Sequence, residues 1–151
     1  MNKTIQIRFK KAQSFESSNI RPLIGLTGLY FIFANALKIR YAFGESKLLY
    51  IGMSEKKTNS MGNRLMGHLD GTSGNPGLIN YGKADNLNFT YINFEMLKQF
   101  WKYRIEDLES YFILDFVKNF GVYPICNNKS GYEILGKQID SEFSIDWQYF
   151  N

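Results

Sequence analysis

The sequence predicts an α/β fold of the α+β kind. It is one small mixed or antiparallel sheet of three strands, flanked by helices, in the order β-β-α-β-α. Three observations predict it. Two runs rich in aromatic and β-branched residues, "LTGLYFIFA" (26–34) and "KLLYIGM" (47–53), have strand composition. A helical period follows them, with Met61, Leu65 and Leu69 recurring every four residues. A third strand-like run, "LNFTYINFE" (87–95), then leads into a longer helical stretch.

The elements follow in chain order. "KTIQIRF" alternates and reads as a short strand or an ordered arm, and "ESSN" with Pro22 marks a loop. The first two strand runs are expected to pair as an antiparallel hairpin, with residues 35–46 as its long tip and "FGES" as its turn chemistry. The polar "SEKKTN" precedes a helix starting near Asn59. Residues 71–86 read as a Gly-rich surface loop, too long for a simple connection and therefore mobile or functional. Residues 96–121 read as helical throughout, broken near Arg104 and stopped by Gly121. The last twenty residues are acidic and aromatic and carry no firm assignment. One domain, 1–151, is expected: an N-terminal arm (1–25), a core (26–128) and an acidic C-terminal tail (129–151).

A chain of 151 residues buries about two-thirds of its unfolded surface in one core. With 13 Phe and 10 Tyr, an aromatic core is favoured over a base-stacking platform. The net charge of +4 is uneven: up to Lys129 there are 17 bases against 10 acids, and beyond it one base against four acids. A basic body suits a polyanion such as nucleic acid. One cysteine and one histidine exclude a disulfide framework and a Cys-rich zinc site. No apolar leader region stands at the start, and no stretch approaches the roughly 18 apolar residues of a membrane span. A cytoplasmic protein without membrane contact is expected.

One charge is out of place. Ile105, Leu108, Phe112, Ile113 and Phe116 form a single apolar helical stripe, and Glu109 lies inside it. A buried carboxylate is normally paired, protonated or on a metal, because leaving it alone costs several kcal/mol. An edge glutamate bridged to an arginine is the simpler reading. Arg64 and His68, spaced i and i+4, share one helix face. A guanidinium beside an imidazole suits a phosphate: the first binds it bidentately and the second assists a leaving oxygen. Taken alone, a solvated arginine beside a half-buried histidine is the simpler reading. "GLY" (28–30) and "YIG" (50–52) each place a tyrosine beside a strand glycine, where backbone or ligand comes close.

In order and spacing, these stretches resemble the GIY-YIG nuclease family: "GLY", then "YIG", then Arg64-x-x-x-His68, then Glu109 leading an aromatic helix, then Pro124-x-x-Asn127. The resemblance covers residues 26–128. It implies that Tyr30 and Tyr50 are the family's two strand tyrosines and that Gly52 closes the second tripeptide. It implies that Arg64 contacts the scissile phosphate, that His68 is a histidine many members have, and that Glu109 binds a single Mg²⁺ (or Mn²⁺). Asn127 matches an asparagine near the site, with Asn128 as the competing alignment. Leu29 replaces an isoleucine. Met53 stands where the family often has a base, so its phosphate contact is missing or taken over by Lys56 or Lys57.

The implied activity is Mg²⁺-dependent hydrolysis of DNA phosphodiester bonds by a small restriction-like or mobile-element endonuclease. A homodimer would be needed to cut both strands of a palindrome. A structure-selective or weakly specific DNA nuclease, and a catalytically silent DNA-binding module, are the alternatives. The general base is left open between Tyr30, Tyr50 and His68.

Overall fold

Strand formation starts at the N-terminus of the computed structural model, which describes residues 3–151. The first two residues of the expected arm lie outside the described residues. Strands β1 (Lys3–Ile7) and β2 (Gln13–Ser14) precede the one-turn helix α1 (Ser17–Ile20). Strand β3 (Gly28–Ala34) follows, then the small hairpin β4 (Ile39–Tyr41) and β5 (Gly44–Ser46), then β6 (Leu48–Ser54). Helices α2 (Met61–Asp70) and α3 (Pro76–Ala84) lead to β7 (Leu87–Asn93). Helix α4 (Ile105–Phe120) and strand β8 (Ser141–Ile145) complete the order.

The protein is mixed α/β. Its central sheet has the order β2-β7-β3-β6 and is antiparallel throughout. It is four-stranded rather than three-stranded, because the two-residue β2 adds to β7. No composition signal could announce so short a strand. Strand β3 lies in the middle and all seven of its residues are buried. Its alternation divides the core. Leu29, Phe31 and Phe33 join α4 in a large aromatic cluster. Tyr30, Ile32 and Ala34 join Met61, Leu65 and Leu78 of α2 and α3 in a smaller one. Phenylalanines dominate the core, as composition favoured: Phe31, Phe89, Phe112, Phe116 and Phe150 are fully buried, while Phe43 is exposed.

Three further expectations change within the core. The expected Gly-rich loop 71–86 contains α3. Asn75 accepts the Leu78 N–H at 3.2 Å and Pro76 occupies the first turn, so start signals were present. Gly77 and Gly82 weakened the helical pattern, and only Leu78 is buried in it. Residues 96–104 are not helical throughout. They include the short 3₁₀ turn Lys98–Phe100, and α4 begins only at Ile105. The expected stop holds: Gly121 adopts φ 88°. The hairpin tip is itself a hairpin, β4 against β5.

The largest change concerns the ends. Strand β1 pairs in parallel with β8, from Lys3 opposite Ser141 to Ile7 opposite Ile145. Trp147 and Phe150 enter the aromatic cluster, their rings 5.3 Å from Phe116 and 5.1 Å from Phe33. Arm and tail are therefore part of the core. Their pairing spans almost the whole sequence, so no local pattern carries it. Among the described residues, no helix is long and apolar enough to cross a membrane.

Candidate active site

The antiparallel register of β3 and β6 builds the floor of the site. Tyr30 lies opposite Gly52, and Ile32 lies opposite Tyr50. Tyr30, Tyr50 and Gly52 therefore share one face of the sheet. A Cβ at position 52 would overlap the Tyr30 ring, so glycine is required there to admit it. The ring centroids of Tyr30 and Tyr50 are 6.1 Å apart. Gly28 holds φ 150°, and a Cβ there would run into the Ile92 carbonyl of the neighbouring strand.

Helix α2 lies over this face. Ser60 caps it reciprocally: its backbone N–H donates to Asn63 Oδ1 at 3.1 Å, and its Oγ accepts the Asn63 N–H at 3.4 Å. Met61 and Leu65 are buried, as expected, but Leu69 is 38% exposed. The stripe runs Met61, Leu65, His68, at i, i+4 and i+7, so the histidine takes the core position and is only 7% exposed.

Arg64 and His68 meet at the Tyr30 hydroxyl. Arg64 Nε donates to Tyr30 Oη at 3.4 Å. Tyr30 Oη lies 3.0 Å from His68 Nε2, and His68 Nδ1 lies 2.7 Å from Ser73 Oγ. A chain of four side chains results, Arg64–Tyr30–His68–Ser73. Burial, helped by the Arg64 charge, lowers the His68 pKa to about 4, so the imidazole is neutral at pH 7. Burial raises the Tyr30 phenol far above its ordinary value. Burial also raises Tyr50, with the Glu109 charge acting in the same direction. Both tyrosines are protonated at neutral pH.

A cleft of about 710 Å³ opens beside this chain, lined by Tyr50, Asn63, Arg64, His68, Ser73 and Asn75 among others. Tyr30 is fully buried beneath it and does not line it. The former "loop" provides the opposite wall, because Thr72 to Gly77 lead into α3.

Glu109 comes from α4. Leu108 and Phe112 beside it are buried, as the stripe predicted, and its own side chain is 12% exposed. Its partner is neither an arginine nor Arg64. Lys129 Nζ donates to Glu109 Oε1 at 3.1 Å. Burial raises the Glu109 carboxyl above its ordinary value, against the pull of Lys129 and, more weakly, of Arg64.

Among the described residues, no group of three His, Cys, Asp or Glu side chains comes together. A metal here would have Glu109 as its one carboxylate. That donor set fits Mg²⁺, which keeps several waters and takes oxygen ligands, and does not fit a closed zinc site. The Lys129 ammonium marks the carboxylate as a place that accommodates positive charge.

The remaining candidates separate. Asn127 Oδ1 accepts the Ile51 N–H and Nδ2 donates to the Ile51 carbonyl, both at 2.9 Å, so it covers the open edge of β6. Asn128 lines the cleft instead. Lys56 and Lys57 are exposed on the turn before α2 and do not line the cleft. Met53 packs, partly buried, against the aromatic cluster on the α4 face. Sequence reasoning missed Lys129 and Ser73. No spacing rule links Lys129 to Glu109, and Ser73 sat in a stretch read as loop. The Asn75-Pro76 start signal was the available pointer to the cleft wall.

Comparison with models of protein families, with curated proteins and with solved structures finds no match.

Proposed function

We propose that this chain is a Mg²⁺-dependent DNA endonuclease of the GIY-YIG kind, with the cleft beside Tyr50, Arg64 and His68 as its active site. One observation carries the reading. Residues 30, 64 and 68, far apart in sequence, converge on one hydrogen-bonded cluster, the Tyr50 ring lies beside it with its centroid 5.0 Å from that of His68, and the charge of Glu109 is felt at Tyr50. The three central strands with α2 and α4 also follow the order β-β-α-β-α once the end elements, α3 and the small hairpin are set aside.

The residues divide the work. Arg64 uses Nε to hold Tyr30 and has its terminal nitrogens for the non-bridging phosphate oxygens. Stabilising that charge is worth roughly 3 kcal/mol in comparable sites. Tyr50 lines the cleft, so its hydroxyl orients the attacking water. His68 is neutral at pH 7 and has both ring nitrogens engaged, by Tyr30 and by Ser73, so it takes the water's proton by way of the Ser73 hydroxyl that lines the cleft. Tyr30, buried and protonated, orients His68 and Arg64. A divalent ion held by Glu109 would polarise the phosphate and lower the charge on the leaving oxygen. Cutting both strands of a palindrome would require a homodimer.

Incubation of supercoiled plasmid with the protein and Mg²⁺ tests this. Nicked or linear DNA is expected, with none from folded Arg64→Ala or Glu109→Ala. Full activity in either variant overturns the assignment. Discrete fragments indicate a restriction-type enzyme, and a smear indicates weak specificity. The Lys129 pairing and Met53 favour a second reading, a silent DNA-binding module. It predicts Mg²⁺-independent, steeply salt-dependent DNA binding without cleavage.

A further inference from the structure

Lys129, paired with Glu109 outside the lining of the cleft, is the charged group that the proposed chemistry leaves unused. Lys129 is delivered to Glu109 by chain fastened on both sides. Before it, Cys126 N–H donates to the Leu49 carbonyl at 2.9 Å, and Asn127 clamps both main-chain groups of Ile51. After it, Gly131 holds φ 83°, and a Cβ there would stand 2.6 Å from the Ser110 carbonyl oxygen and 2.9 Å from Leu114 Cα. The chain thus crosses from the edge of β6 onto α4 one residue beyond Glu109. Between these anchors the Lys129 side chain is 22% exposed and its ammonium meets a carboxylate that is 12% exposed.

We propose that Lys129 is a built-in counter-cation of Glu109, which competes with a divalent metal ion for the carboxylate until a substrate phosphate draws the ammonium away. The inference rests on the reading of Glu109 as the metal ligand. An ammonium and a dication on one small carboxylate repel each other, and at partly buried sites that repulsion is weakly screened. A phosphodiester gives the ammonium another anion. Lys129 would then supply the basic group that Met53 does not.

The test uses Mn²⁺ as the probe, titrated into DNA-free protein by calorimetry and by the Mn²⁺ spin-resonance signal. Wild-type protein is expected to bind weakly, and Lys129→Met about tenfold or more tightly. Lys129→Arg, which keeps the cation, should stay at the wild-type level. The gain should vanish in the double variant Lys129→Met/Glu109→Gln. Should Lys129→Met fail to fold by circular dichroism, Lys129→Gln carries the same expectation. Equal affinity in wild type and the folded neutral variant overturns the proposal, and so does a gain that survives Glu109→Gln. The nuclease reading fails separately: a tenfold gain without any plasmid nicking leaves the counter-cation in place and removes the enzyme.

Discussion

The two sides of the site are held in opposite ways. On the α2 side, Arg64, Tyr30, His68 and Ser73 form a continuous hydrogen-bonded chain under a buried face. On the α4 side, Glu109 has one ion pair with one lysine. The chain cannot rearrange without leaving buried donors or acceptors unpaired, which costs more than the bonds themselves contribute. The ion pair can exchange one cation for another. The difference assigns rigidity to the group that would position a phosphate in the proposed reaction and exchangeability to the group that would meet the metal.

The strongest way to break the comparison is kinetic. Arg64→Ala should lower cleavage by about 10²–10³-fold while the fold persists, since it removes a donor to developing charge. Plasmid nicking rates with circular dichroism as control check this. A small loss would mean that the rigid side does not touch the phosphate.

The next effect is on stability against pH. The folded pKa of His68, about 4, lies below its ordinary value of 6.5. The unfolded chain therefore takes up the proton first. The stability present above pH 6.5 falls as the pH drops toward 4, by about 3 kcal/mol at most. Urea midpoints at pH 7 and pH 4.5, wild type against His68→Gln, should isolate this loss. An equal loss in both would show that the imidazole is not held neutral.

Two substitutions at Tyr30 and its neighbour come next. Tyr30→Phe removes the hydroxyl shared by Arg64 and His68, with an expected cost of about 1–3 kcal/mol from unpaired buried groups. Gly52→Ala sets a methyl against the Tyr30 ring and should cost about 1–3 kcal/mol through overpacking. Gly136→Ala, where a Cβ meets nothing within 4 Å, is the control, expected within about 0.5 kcal/mol of wild type. Denaturant midpoints compare the three. The smallest effect is Ser73→Ala. Ser73 is exposed, so about 0.5 kcal/mol is expected, with a larger change in the His68 ring resonances by NMR.

Much of the frame was legible because it depends on local composition and short-range periodicity. The strands containing Tyr30 and Tyr50 follow from local composition, and the Arg64–His68 helix face and the Glu109 stripe from spacings of three or four residues. Helix α3 was misread because glycines diluted a short pattern whose start signal was nevertheless present. The pairing of β1 with β8 was illegible because pairing partners carry no mutual label in a single chain.

By itself, then, the sequence determined the three central strands β3, β6 and β7 and the helices α2 and α4, with Arg64 and His68 on one helix face and Glu109 within an apolar stripe. Local composition and helical pitch dictate these. Only the tertiary structure decided that Tyr30 lies beneath the cleft and not in it, that Asn127 clamps a strand edge, and that Lys129 is the cation on Glu109. Those outcomes depend on where chain segments cross after packing. Burial, which sets the protonation of Tyr30 and His68, exists only once they have crossed.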